Sequence, residues 1–112
     1  MSRKRLPLPG TKVRGSTTGR PIMAALDLFG RRWALRILWE LRTKPLTFRE
    51  LQEACGDISP AVLNTRLAEL RDAEIVAQEP GGYRLSPQGL ALIEALAPLH
   101  LWAERWATRV SR

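Results

Sequence analysis

Between Leu46 and Leu85 the chain carries two helix starts, a stop between them and a hairpin signal after them. That order constrains the fold more than any other feature of the sequence. Thr47 and Glu50 stand three residues apart as a capping box, in which a hydroxyl and a carboxylate satisfy each other's backbone N–H groups. They open a short helix with Phe48, Leu51 and Cys55 on one face. Gly56-Asp57 supplies the left-handed, turn-prone residues that end it. Ser59-Pro60 begins a second helix, a capping hydroxyl followed by proline in the first turn. Leu63, Leu67 and Leu70 recur at i, i+4 and i+7, so this helix packs on one side only. Ile75-Val76-Ala77 and Tyr83-Arg84-Leu85 flank Pro80-Gly81-Gly82, which predicts a hairpin.

Helix, turn, helix and hairpin in that order are the layout of a winged helix-turn-helix, mainly α with one small β-hairpin, which can push a helix into a DNA major groove. Upstream, the spacing predicts a helix from Pro21 to Phe29, with Ile22, Leu26 and Phe29 on one stripe and Gly30 as its stop. A helix from about Trp33 to Arg42 is apolar on most sides and is expected at the centre of a bundle. Arg32, Arg36 and Glu40 form its polar strip, where i,i+4 spacing permits an ion pair. Downstream, Ser86-Pro87 caps a long helix running towards Arg109, and Pro98 is expected to kink or split it. Its stripe of Leu92, Leu96, Leu99, Ala103, Trp106 and Val110, with Trp102 beside it, outlasts what a small core can cover. A second surface is needed to bury Trp102 and Trp106.

With 112 residues, 45% of them apolar, the chain has material for one small domain that gains from an oligomeric partner. It contains no run of eighteen apolar residues, so no membrane span is expected. The first residues lack the apolar segment of a secretory signal, which makes the cytoplasm the expected compartment. One cysteine, Cys55, excludes an intramolecular disulfide, and with His100 as the one histidine neither a structural zinc site nor any other cofactor site is expected. The net charge of +7 is uneven: residues 1–20 hold six of the eighteen basic side chains and no acid, leaving twelve against eleven in the rest. Residues 1–20, rich in Gly, Pro, Ser and Thr, read as a disordered basic arm, and residues 21–112 as the winged-helix domain with a C-terminal dimerisation helix. The arm's cations are either solvated, or follow DNA phosphates or enter a minor groove. No nucleophile–base arrangement, glycine-rich phosphate loop or ligand cluster is present, so enzyme activity is not expected.

On the helix opened by Ser59 and Pro60, the side away from the leucines shows Ala61, Thr65 and Ala68, flanked by Val62 and Asn64. Small and amide side chains suit close insertion into a groove. Asn64 can pair with an adenine edge, and Ala61, Val62 or Thr65 can meet a thymine methyl. Ser59 and the backbone N–H groups of the first turn suit a phosphate, as do Thr47 and Arg49 at the preceding helix start. Arg84 on the hairpin is placed to reach a minor groove or phosphate. Arg66 lies nearer the core edge and serves either a phosphate or an ion pair with Glu69 or Glu74. Cys55 reads as a small apolar filler.

Leu26-Asp-Leu-Phe-Gly-Arg-Arg-Trp33, Ile37-Leu-Trp-Glu-Leu41, Phe48-x-Glu-Leu51, Ile58-Ser59, Leu63-x-x-Arg66-Leu67-x-Glu-Leu70, Tyr83-x-Leu-Ser-Pro-x-Gly89 and Trp102 form an ordered set. Over roughly Pro21 to Ala107 this set resembles the HxlR-type transcriptional regulators, a winged-helix group close to the MarR proteins. The resemblance implies a homodimer that pairs through its first and last helices and binds pseudo-palindromic operator DNA. The implied interface is Ile22, Met23, Leu26, Leu99, Trp102, Ala103, Trp106 and Val110, with His100 near it. Three features depart from the pattern. Many relatives carry a sensing cysteine just before the proline of helix one, where this chain has Arg20. The wing, Glu79 to Tyr83 at its tip, is several residues shorter than usual. Arg49 replaces a small polar residue and adds a cation near the expected phosphate contact.

The expected function is that of a sequence-specific regulator of transcription binding double-stranded DNA. Repression is favoured because no extra domain for recruiting polymerase is visible. The alternatives are a winged-helix protein-interaction module and a non-specific nucleic-acid-binding protein. A small-molecule effector at the dimer seam is compatible with the first reading.

Overall fold

The structure, a computed structural model, describes residues 8–10 and 20–111. The basic arm expected over residues 1–20 therefore falls, apart from residues 8–10 and Arg20, outside the described residues. The elements run α1 (Pro21–Phe29), α2 (Ala34–Glu40), α3 (Phe48–Cys55), α4 (Pro60–Asp72), β1 (Val76–Glu79), β2 (Gly82–Leu85) and α5 (Pro87–Val110). Local chemistry sets most of these boundaries. The Thr47 N–H donates to Glu50 Oε1 at 2.9 Å and the Glu50 N–H to Thr47 Oγ1 at 3.1 Å, closing the capping box. Ser59 Oγ accepts from the Val62 N–H, and Ser86 Oγ from the Gly89 N–H, both at 3.1 Å. Proline occupies the first turn of α1, α4 and α5. Gly56, at φ 83°, ends α3 in the left-handed region.

Ile37, Leu38, Leu51, Leu63, Leu67 and Leu70 are the largest fully buried side chains, so the core lies where α2, α3 and α4 converge. Val76, Tyr83 and Leu85 close it from the hairpin side. Each aliphatic group withdrawn from water in this way stabilises the fold by about 1.5–3 kcal/mol before entropy is counted. The hairpin is antiparallel, with Val76 opposite Leu85 and Glu79 opposite Gly82, so Pro80-Gly81 alone forms its tip. Leu46 adds a further rung that the sequence pattern does not announce. Its N–H donates to the Tyr83 carbonyl at 2.9 Å and its carbonyl accepts the Tyr83 N–H at 2.7 Å.

Two expectations need correction. First, α2 begins at Ala34 and ends at Glu40 rather than spanning Trp33 to Arg42, because Trp33 is left-handed (φ 78°) and Leu41 already caps the helix. Second, α5 runs unbroken through Pro98 and is not split. Proline there removes the bond to the Glu94 carbonyl, and both residues lie on the exposed side, where water can take up that carbonyl. Helix α1 meets the core through Ala24 and Leu28 and leaves Ile22 and Leu26, two of the expected interface residues, 62% and 58% exposed. The helix is apolar on two sides, and the small Ala24 lets it approach closely.

Candidate nucleic-acid interface

Helix α4 carries most of the candidate residues. Leu63, Leu67 and Leu70 pin one side into the core at 0–1% exposure. The opposite side leaves Ala61, Asn64 and Thr65 exposed, with Val62 and Ala68 half-buried at its margins. The Thr65 hydroxyl donates to the Ala61 carbonyl at 3.0 Å, which uses its proton within the helix. The amide of Asn64 has no hydrogen-bond partner among the described residues and is available to a ligand. In the first turn Pro60 has no N–H and Ser59 takes that of Val62, so Ala61 keeps the free backbone donor.

The flanking cations are held to different degrees. Arg49 on α3 is 90% exposed and only loosely paired with Glu53 at 3.6 Å. Beside it, the Thr47 backbone and hydroxyl hydrogen bonds hold the Glu50 carboxyl below its usual range. On the wing, Arg84 Nε donates to Glu79 Oε2 at 2.8 Å, so the hairpin tip carries a balanced pair. Arg66 donates from Nε to the Arg32 carbonyl at 2.8 Å and from a terminal nitrogen to Glu69 Oε1 at 3.1 Å. Of its two expected roles, the ion pair with Glu69 is the one occupied here. Arg31 reaches the other Glu69 oxygen at 2.5 Å, so one carboxylate joins α4 to the turn after α1.

The fastening of this turn to α4 is what sequence reasoning missed. Arg31 and Arg32 stand adjacent just after a helix stop, but which helix they meet is decided by tertiary packing. A second tie runs from Arg71 through Gln78 to the Tyr83 hydroxyl, joining the end of α4 to the hairpin. Arg36 pairs with Glu40 within α2 at 2.7 Å and donates to the Ala54 carbonyl of α3 at 2.8 Å, joining the two helices. Cys55 lies in the core, where burial pushes its thiol up from the ordinary value. It has the environment of a filler rather than of a reactive thiolate.

A second surface lies on α1 and the distal half of α5. Ile22, Leu26, Leu99, Trp102, Trp106 and Val110 are each at least half exposed, with Met23 and Ala103 half-buried among them. The Trp102 and Trp106 rings stack with centroids 5.5 Å apart. The His100 ring lies 4.9 Å from that of Trp39, and the Arg42 guanidinium lies 3.8 Å from the Trp39 ring. Among the described residues no group of His, Cys, Asp and Glu side chains is placed to hold a metal ion. No helix there is long and apolar enough to cross a membrane.

Comparison with known proteins agrees with this geometry. The chain is 29% identical over 89 residues to YvaP of Bacillus subtilis (strain 168), an HTH-type transcriptional regulator, covering 73% of this chain and 82% of that protein. It is 31% identical over 99 residues to YodB of the same organism, also an HTH-type transcriptional regulator, covering 82% and 88%. The crystal structure of quinone-bound YodB superposes with a TM-score of 0.71 at 33% identity, covering 75% of this chain and 96% of that one. The fold is thus the winged helix-turn-helix of these regulators. Residues 28–111 match the family described as HxlR-like helix-turn-helix. The chain belongs to that family of transcriptional regulators.

Proposed function

We propose that this protein is a sequence-specific, double-stranded DNA-binding repressor that works in the cytoplasm as a homodimer on a pseudo-palindromic operator. The observation that carries the reading is the outer face of α4. Ala61, Asn64 and Thr65 are bare while the leucines behind them are immobilised. In this reading Asn64 pairs with an adenine edge and Ala61, Val62 and Thr65 pack on thymine methyls. Ser59, Pro60 and the Ala61 N–H face a phosphate at the helix start, Thr47 and Arg49 hold the backbone on the α3 side, and Arg84 approaches from the wing. Arg66 supports α4 rather than touching DNA. The domain spans residues 21–112, with residues 1–20 as a basic arm ahead of it.

Pairing of two protomers through α1 and α5, by Ile22, Met23, Leu26, Leu99, Trp102, Ala103, Trp106 and Val110, would set two α4 helices about one helical turn of DNA apart. One similar protein has been crystallised with a quinone. In this chain a small-molecule effector would be held without a thiol bond, since Cys55 is buried and Arg20 stands before Pro21. The role is binding, with no catalysis assigned.

Selection of bound sequences from a random duplex pool tests the reading. A two-fold symmetric consensus is expected, and Asn64→Ala should lose about 1–3 kcal/mol of discrimination at one base pair per half-site. Equal weak binding to the selected and a scrambled duplex would point instead to non-specific nucleic-acid binding. Absence of binding to both would point to a protein partner.

A further inference from the structure

We propose that the turn between α1 and α2 is a second DNA contact, in which Arg32 holds a backbone phosphate beside the groove that α4 enters. This rests on the DNA-binding reading above and adds a contact to it.

The turn is fastened to the flank of α4. The Arg32 carbonyl accepts Arg66 Nε at 2.8 Å, and Arg31 pairs with Glu69 at 2.5 Å. Thr65 and Glu69 are i and i+4 on α4, so the fastening point lies one turn along from an exposed base-facing position. A duplex seated on Ala61, Asn64 and Thr65 brings one of its backbones past this flank.

Charge separates the three arginines gathered here. Glu69 is shared by Arg31 and Arg66, whose side chains are only 19% and 21% exposed, so these two act as positioning residues. Arg32 is exposed and has no carboxylate partner among the described residues. Its guanidinium lies 5.6 Å from the Trp33 ring, a contact that orients a cation without neutralising it. Phe29, Arg31, Arg32, Trp33, Leu35 and Arg36 line an open recess of about 320 Å³ at this point, which leaves room for a sugar-phosphate. A guanidinium fork matches two phosphate oxygens at once. On the wing, by contrast, Arg84 is already balanced by Glu79. Arg32 is therefore the better-placed charge for the backbone.

The test compares the full chain with Arg32→Ala and Arg32→Lys by fluorescence anisotropy across a salt series. The probes are a labelled duplex taken from the selection and a scrambled duplex. Loss of one phosphate contact lowers the log–log salt slope by about 0.9, or about 1.8 for two protomers on one duplex. Affinity should fall about fivefold per contact at 0.15 M salt, equally on both duplexes, because a phosphate carries no base identity. Arg32→Lys should recover the slope but only part of the affinity. The main-chain carbonyl that receives Arg66 is retained in both variants, so thermal melting should hardly move. An unchanged slope in Arg32→Ala, while Asn64→Ala still loses discrimination, overturns the phosphate contact and leaves the DNA reading standing. A loss confined to the selected duplex also overturns it, since Arg32 would then read bases. An unaltered chain that binds neither duplex overturns both.

Discussion

At φ 134° Gly82 carries β2 beneath the Leu46 carbonyl, and a methyl group there would clash with that oxygen and lie 2.9 Å from Thr47 N. Both neighbours are backbone and belong to the rung that joins the hairpin to the start of α3, so neither can yield cheaply. Gly82→Ala should destabilise the domain by at least about 1–3 kcal/mol from conformational strain alone, with the clash in addition. Gly81→Ala, one residue away and facing open space, should be nearly neutral. Urea unfolding of the two variants checks this, and equal midpoints would contradict the close approach. Arg66 and Arg32 teach a complementary lesson. The cation one residue past Thr65 is occupied by Glu69, whereas the one left exposed comes from a distant turn. Spacing along a helix identifies the face a residue occupies but not the partner that reaches it from elsewhere.

Among the elements, α3 shows how a cap becomes a pH response. The Thr47 hydrogen bonds hold the Glu50 carboxyl below its ordinary value, so the unfolded chain takes up a proton before the folded one does. The cap's contribution is complete above the ordinary glutamate value and is lost as pH falls through the lowered, folded-state one. Glu50→Gln keeps an acceptor for the Thr47 N–H but does not titrate. Its melting temperature should decline less than that of the unaltered chain over this acid range, as measured by circular dichroism; parallel declines would refute the assignment. The starts of α1, α3, α4 and α5 and the stop of α3 were legible in sequence because local hydroxyls, prolines and glycines decide them. The left-handed Trp33, the continuous α5 and the Leu46–Tyr83 rung were not, because packing or solvent access decides them. At the site the exposed face of α4 followed from the leucine spacing, whereas the Arg31–Glu69–Arg66 network joins residues far apart in the chain and leaves no periodic trace.

For the molecule as a whole, the apolar surface of α1 and α5 is what a lone protomer leaves uncovered. Trp102 and Trp106 are about half exposed, so pairing could still withdraw half of each ring from water. Full burial of such rings is worth about 3–5 kcal/mol against alanine. Counting both protomers, Trp102→Ala should weaken the proposed dimer by about a hundredfold or more, with little change in helix content. Sedimentation or light scattering over a dilution series reads this, and an equally tight dimer would remove Trp102 from the interface. The fastening of α4 to the turn after α1 has a mechanical side. Two side chains, Arg66 and Glu69, link α4 to the segment next to α1, so a tilt of one strains its bonds to the other. In the proposed dimer, a shift of α1 at the seam would therefore re-aim both α4 helices together, altering the stride between half-sites rather than the grip on either.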